Sequence, residues 1–144
     1  MRPFEIIEHP ADVGFIAYGA DVRALFENAA AAMCALACDP AEIEENVRRE
    51  VCATGADLES LLYDWLSEIL AIQDGEKIFF KRAEVTDLNA TGSSGKFEAR
   101  GFAQGETYDR ARHRAGTYIK AVTYHQLRVE KSGEGWKATV YLDV

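Results

Sequence analysis

Residues 58–73 constrain the fold of this chain more than any other stretch. Leu58, Leu61, Leu62, Trp65, Leu66, Ile69 and Leu70 recur at three- and four-residue intervals, which places them on one wide stripe of an α-helix. Burying each such side chain is worth about 1.5–3 kcal/mol before entropy is set against it. The helix must therefore lie on a layer with an apolar face. Asp57 stands at the cap position, Glu59 suits the positive end of the helix, and Asp74-Gly75 reads as a stop. Tyr63, Asp64, Ser67 and Glu68 fall off the stripe.

A second helix is predicted over residues 22–37, capped by Asp21 and ended by Asp39-Pro40. Its stripe is Val22, Leu25, Phe26, Ala29, Met33 and Leu36. The remaining patterns are β. Residues 4–8 form a strand stopped by His9-Pro10, because Pro lacks a ladder donor. Residues 13–17 follow, with Gly14 marking a bulge or a close backbone approach and Asp12 in the connection between the two strands. Residues 47–53 and 77–85 are further strands, and 88–91 pairs with 97–102 across Gly92-Ser93-Ser94-Gly95. Residues 107–117 are polar and basic and read as a loop or short helix. A last hairpin joins 119–130 to 136–142 across Ser132-Gly133-Glu134-Gly135. Two main helices on a largely antiparallel sheet make an α+β, two-layer domain. No repeat or linker interrupts the 144 residues, a length that suits a single domain over 1–144.

In the last hairpin, strict alternation through Gln126-Leu127-Arg128-Val129-Glu130 puts Thr123, His125, Leu127 and Val129 on one face. On that pattern alone His125 is a hydrogen-bonded core residue. In the closing strand Ala138, Val140 and Leu142 share a face, leaving Tyr141 and Asp143 on the other.

Charge and cysteine usage narrow the function. The net charge of −8 argues against stable nucleic-acid binding by the chain itself, since phosphate contacts need Lys and Arg. Arg110, Arg112, Arg114 and Lys120 are close in sequence and read either as a local basic patch or as a solvated loop. Cys34, Cys38 and Cys52, an odd number without a secretory signal, indicate a reducing compartment, with Cys as a small buried hydrophobe. Met1–Glu5 lacks an apolar signal core, and the apolar-rich run 24–38 is broken by Glu27 and Asn28 and too short to span a bilayer. A cytoplasmic protein without membrane contact is the expectation. No glycine-rich phosphate loop precedes a Lys and helix, and no serine nucleophile elbow is present.

The polar candidates are His9, Asp12, Asp64, Lys120, His125 and Asp143. Asp12 and Asp143 are loop or strand-end carboxylates from opposite ends of the sequence. Hard divalent cations prefer such oxygens, and Val144 closes the sequence with a further carboxylate. Asp12 also fits a turn or cap, and Asp64 also fits a solvated charge on a helix face.

Ile119-Lys120-Ala121-Val122-Thr123-Tyr124-His125 resembles the I-K-A-x-T-Y-H segment of the archease family. His9-Pro10-Ala11-Asp12-Val13-Gly14 resembles that family's H-T-A-D-x-G, with Pro10 where Thr is usual. The helix from Asp57-Leu58 to Leu70 resembles D-L-x-x-L-L-x-x-W-L, Arg112-His113 resembles a further element, and Leu142-Asp143-Val144 resembles the L-D-V terminus. The pieces run in order along the whole chain. The resemblance implies that Asp12, Asp143 and Val144 hold a divalent metal ion (Ca2+, Mg2+ or Mn2+). His9, Asp64, His113, Lys120 and His125 are the further functional candidates. It also implies a role: archeases are protein cofactors of the RNA-splicing ligase RtcB, which joins cyclic-phosphate or 3′-phosphate RNA ends to 5′-hydroxyl ends using GTP, divalent metal and a guanylylated histidine. An archease promotes guanylylation and sustains turnover without joining RNA itself. The alternative is a small metal-dependent hydrolase of phosphate esters, with His9, Asp12 and Asp143 at its own metal.

Overall fold

The computed structural model describes residues 2–9, 12–93 and 95–144, and of Glu8 and His9 the backbone only. Pro10, the departure from the family pattern, lies outside the described residues. The strands are β1 (Phe4–His9), β2 (Asp12–Gly19), β3 (Val47–Gly55), β4 (Ile78–Asn89), β5 (Phe97–Thr107), β6 (Ala121–Val122), β7 (Arg128–Ser132) and β8 (Gly135–Asp143). Helix α1 (Val22–Ala37) lies between β2 and β3, and α2 (Leu58–Glu76) between β3 and β4. Every strand pairing among the described residues is antiparallel. The chain is α+β, with two helices packed on antiparallel sheet. The strands divide into two sheets: β1-β2-β8, with β6 and β7 both on the far side of β8, and β3-β5-β4.

Both helices start where their side chains cap them. Asp21 accepts from Ala24 N at 2.8 Å, and Asp57 accepts from Ser60 N at 2.8 Å while the Ser60 hydroxyl accepts from Asp57 N at 3.1 Å. That reciprocal box satisfies two amides the helix leaves open. At the other end α2 passes the expected stop at Asp74-Gly75 and ends at Lys77, which takes φ 57. Two contacts place the stop there. Ile78 is buried at once in the core, and Lys77 O accepts from Tyr108 N at 2.8 Å.

The stripes meet as expected. Leu61, Leu62, Trp65, Leu66 and Ile69 of α2 and Leu25, Phe26 and Ala29 of α1 are fully buried, and Trp65 Nε1 donates to Phe26 O at 3.3 Å. Phe15, Ala17, Ala138, Val140 and Leu142 from one sheet and Phe80, Val85, Ala99 and Ala103 from the other complete one cluster. Among the described residues no helix is long and apolar enough to cross a membrane.

Polar side chains of the helices also close strand edges. Glu27 accepts from Val85 N at 2.9 Å and Arg23 donates to Val85 O at 2.9 Å, beside an irregularity in β4 between Val85 and Asp87. On α2, Asp64 accepts from Thr54 N at 2.9 Å and Glu59 from Val129 N at 3.0 Å. Unpaired edge groups invite pairing with other chains, and these bonds occupy some of them.

The continuous strand expected over 119–130 is broken. Thr123 Oγ1 donates to Tyr141 O at 3.1 Å and accepts from His125 N at 3.2 Å. Leu127 N donates to Tyr124 O at 3.1 Å, and Gln126 adopts φ 52. These bonds turn the chain between β6 and β7, so the shared face of Thr123, His125, Leu127 and Val129 does not exist. His125 is exposed rather than a core residue. The Thr hydroxyl offers the backbone a turn that competes with the ladder. Cys34 and Cys38 are buried as expected, but Cys52 is exposed, on the face of β3 opposite buried Val51 and Ala53.

Candidate metal centre

The register of β2 on β8 runs from Asp12 opposite Asp143 to Gly19 opposite Trp136. Leu142, Val140 and Ala138 point into the core, so Asp143, Tyr141 and Thr139 point outward. Residues directly opposite share a face, so Asp12 stands beside Asp143 on that outer face. Asp12 is the first residue of β2 rather than part of a connection. Gly14 is a close approach and not a bulge: a Cβ there would lie 2.8 Å from Tyr141 Cδ1, with the register unbroken around it. The Tyr141 ring therefore lies over Gly14, next to the carboxylate pair.

On the other side of Asp143 stands Ala121, and Lys120 N donates to Asp143 O at 2.8 Å. Backbone bonds to two strands thus fix Asp143, while its side chain is exposed and that of Asp12 is half-buried. Neither carboxylate is hydrogen-bonded or ion-paired to a described residue. Val144 packs its side chain against the core cluster, which anchors the main chain beside Asp143.

Two carboxylates directly opposite on paired strands repel each other, at a cost of about 0.2–1 kcal/mol. A hard cation removes that repulsion, and its coordination shell is made of oxygens. The donor set fits such an ion in kind. It is incomplete in number, because among the described residues no group of three or more His, Cys, Asp or Glu side chains is arranged to hold a metal. Main-chain oxygen and water would have to complete the shell.

The other candidates divide: His9, Lys120 and His125 belong to segments that border the pair, and Asp64 and His113 do not. His9 is the register partner of Asp12, and its side chain lies outside the described residues. The Lys120 side chain is exposed and lines a small cavity with Tyr63, Asp74 and Ala121. His125 sits edge-on to Tyr141, with ring centroids 5.9 Å apart, and Tyr141 is two residues from Asp143 on β8. Asp64 is an edge cap on β3. His113 is buried on the far loop, where its Nδ1 accepts from Asp109 N at 2.9 Å, so Nε2 carries the proton given to Glu106 Oε1 at 2.9 Å. Glu106 also accepts from Arg112 and from Glu44 N. The basic run is not one patch: Arg110, Arg112 and Arg114 share a surface with Glu42 and Tyr108, apart from the cavity that Lys120 lines.

One contact in the turn beside His125 went unread in the sequence. Tyr124 stacks on Tyr63 with centroids 4.0 Å apart and planes 12° apart. Lost solvation, then Tyr63, Asp57 and Asp64, raise the Tyr124 phenol above its usual pKa. The one signal was Tyr63 lying just off the apolar stripe.

A family model, the Archease protein family (MTH1598/TM1083), matches residues 4–144. The chain is 42% identical over 143 residues to the protein archease of Methanosarcina acetivorans, covering 99% of this chain and 97% of that one. It is 36% identical to the protein archease of Sulfurisphaera tokodaii over 146 aligned residues, covering both chains fully. The solution structure of Methanobacterium thermoautotrophicum protein 1598 superposes with a TM-score of 0.83 at 36% identity over all of both chains. The crystal structure of a Thermotoga maritima archease, described as a possible chaperone, superposes at 0.62 and 21% identity over 100% of this chain and 98% of that one, and shares the fold.

Proposed function

The chain belongs to the archease family, and on that premise we propose that it is an activator of the RNA-splicing ligase RtcB in tRNA splicing. In this reading it promotes GTP-dependent guanylylation and repeated turnover of the ligase and joins no RNA itself. It works as one cytoplasmic domain. The observation that carries the proposal is the register of Asp12 opposite Asp143 at an exposed end of the sheet. A carboxylate pair without a partner among the described residues is suited to hold a divalent cation and to present it to another protein's site.

Asp12, Asp143 and an oxygen of Val144 would hold the ion. When bound, the ion supplies positive charge for phosphate oxygens and relieves the repulsion between the carboxylates. The chain's own part is positional. Asp143 is held by Ala121 on one side and β2 on the other, with Lys120 N bonded to its carbonyl. Sixteen Lys and Arg against twenty-four Asp and Glu leave the chain acidic, which favours action through a protein over direct capture of RNA.

The test is guanylate transfer to the ligase, followed with and without this chain and with Asp12→Asn and Asp143→Asn. The proposal predicts stimulation by the parent and sharply weaker stimulation by both variants. Equal stimulation by all three would sink it. Hydrolysis of phosphate esters by the isolated chain, lost in the same variants, would establish the hydrolase alternative instead.

A further inference from the structure

One row of the outer sheet face lies directly beside the carboxylate pair. Ile7 stands opposite Gly14, and Gly14 opposite Tyr141, two residues along β2 and β8 from Asp12 and Asp143. Side chains two apart on a strand share a face, so this row is the immediate neighbour of the carboxylates. Gly14 is buried although it faces outward, and the group over it is the Tyr141 ring. A Cβ at Gly14 would lie 2.8 Å from Tyr141 Cδ1 and 2.9 Å from Cε1. The ring therefore leans from β8 across the slot that the missing side chain leaves in β2, on the side where half-buried Ile7 stands.

The ring is held in place from the other side as well. Thr123 N and Thr123 Oγ1 both donate to Tyr141 O at 3.1 Å, which pins β8 at this position. His125 meets the ring edge-on, with centroids 5.9 Å apart. Diagonal neighbours on paired strands are about 7–8 Å apart, within reach of an aromatic ring, and Asp12 is the diagonal neighbour of Tyr141. The exposure of the two carboxylate residues matches this placement. Asp12, on the strand toward which the ring leans, is half-buried, and Asp143 is exposed.

A wall of carbon there has two effects. An aspartate side chain has three staggered χ1 wells, and a ring over Gly14 obstructs the one that would turn Asp12 along β2, away from Asp143. Carbon in place of water also strengthens the attraction between a carboxylate and an ion held beside it. We propose that Tyr141 is a positioning residue for the cation: its ring, seated on Gly14, walls the site on the side away from the sheet end and keeps the Asp12 carboxylate turned toward Asp143. The inference rests on the reading of the two aspartates as a cation site, and adds to it a residue that touches no ion.

The test titrates the full chain with Ca2+, Mg2+ and Mn2+ by calorimetry, with no ligase present. Tyr141→Val keeps a strand-forming residue and removes the ring. Tyr141→Phe keeps the ring. Gly14→Ala keeps the tyrosine, and its added Cβ pushes the ring off its seat. For the ion that the parent binds, Tyr141→Val and Gly14→Ala should each raise the dissociation constant about threefold, the ratio for freeing one side chain among three staggered wells. Tyr141→Phe should bind as the parent does. Melting temperatures without ion show which variants fold, and if one of the two disrupting variants does not, the other decides. Parental affinity in a folded disrupting variant would overturn the inference. So would a loss in Tyr141→Phe equal to that in Tyr141→Val, which would assign the effect to the hydroxyl. A parent that binds none of the three ions removes the cation site and this inference with it, a result distinct from a binding parent with unaffected variants.

Discussion

Asp12 and Asp143 stand directly opposite each other on neighbouring antiparallel strands, although 130 other residues separate them in the sequence. Their backbones are fixed by inward-facing neighbours: Leu142 and Val140 are fully buried, and so is Phe15. The carboxylates themselves are left without a described partner. The fold thus holds two like charges together at an exposed sheet end, with no group among the described residues to offset them.

The two helices carry the core. Trp65→Ala should destabilise the chain by about 3–5 kcal/mol and Leu66→Ala by about 2–5 kcal/mol, because both side chains are fully buried and Trp65 also bonds to Phe26 O across the helix pair. Denaturant unfolding measures this. Unchanged midpoints would mean that α2 does not anchor the two sheets.

The thiols should divide. Burial pushes the Cys34 thiol up to about 12, and burial together with Glu42 and Asp39 raises Cys38. Thiolate is the reactive form. In the native protein iodoacetamide should label exposed Cys52 and leave Cys34 and Cys38 unmodified until the chain unfolds. Mass spectrometry of native and urea-unfolded samples reads the difference, and rapid native labelling of Cys34 would contradict the packing.

Acid should weaken the α2 cap. The hydrogen bonds from Ser60 N and the Ser60 side chain lower the Asp57 pKa below its usual 3.8. A carboxyl depressed in the folded state stabilises above its unfolded value, and that stabilisation disappears as pH falls through the folded one. Asp57→Ala should cost about 1 kcal/mol at neutral pH and show less of this loss in acid. Urea midpoints from pH 7 downward test it, and parallel pH curves for parent and variant would contradict it.

Much of the fold was legible in the sequence, because helix stripes and caps are local. Asp21 and Asp57 cap where their positions indicate, and Ala138, Val140 and Leu142 face inward as their alternation requires. The division into two sheets was not legible, since strand partnership is set by contacts distant in sequence. Nor was the turn at 123–127: alternation there matched a strand, but the Thr123 hydroxyl and the stacking of Tyr124 on Tyr63 override it. For the candidate site, the residues offered the two carboxylates, the family resemblance implied that they converge, and the register places them opposite each other. Asp64 and His113 stood among the further functional candidates, and each has a structural partner, Thr54 N and Glu106.

That assignment has its own consequence. Asp64→Ala should cost about 0.5–1.5 kcal/mol and His113→Ala about 1–3 kcal/mol, the values for losing a hydrogen bond and for leaving a buried partner unsatisfied. Stimulation of guanylate transfer by the folded fraction should be unchanged. Loss of stimulation at parental stability would return either residue to the functional site.

The most direct test of the central claim is the melting temperature of the parent, Asp12→Asn and Asp143→Asn during titration with Ca2+, Mg2+ and Mn2+. A cation bound only by the native state stabilises it by about 2.7 kcal/mol at one hundred times its dissociation constant. The parent should therefore melt at rising temperature as one of these ions is added, and neither variant should follow. Without added cation both variants should melt at or above the parental temperature, because each removes one of two repelling charges. A parent indifferent to all three ions, or the same rise in parent and variants, would contradict a cation site between Asp12 and Asp143.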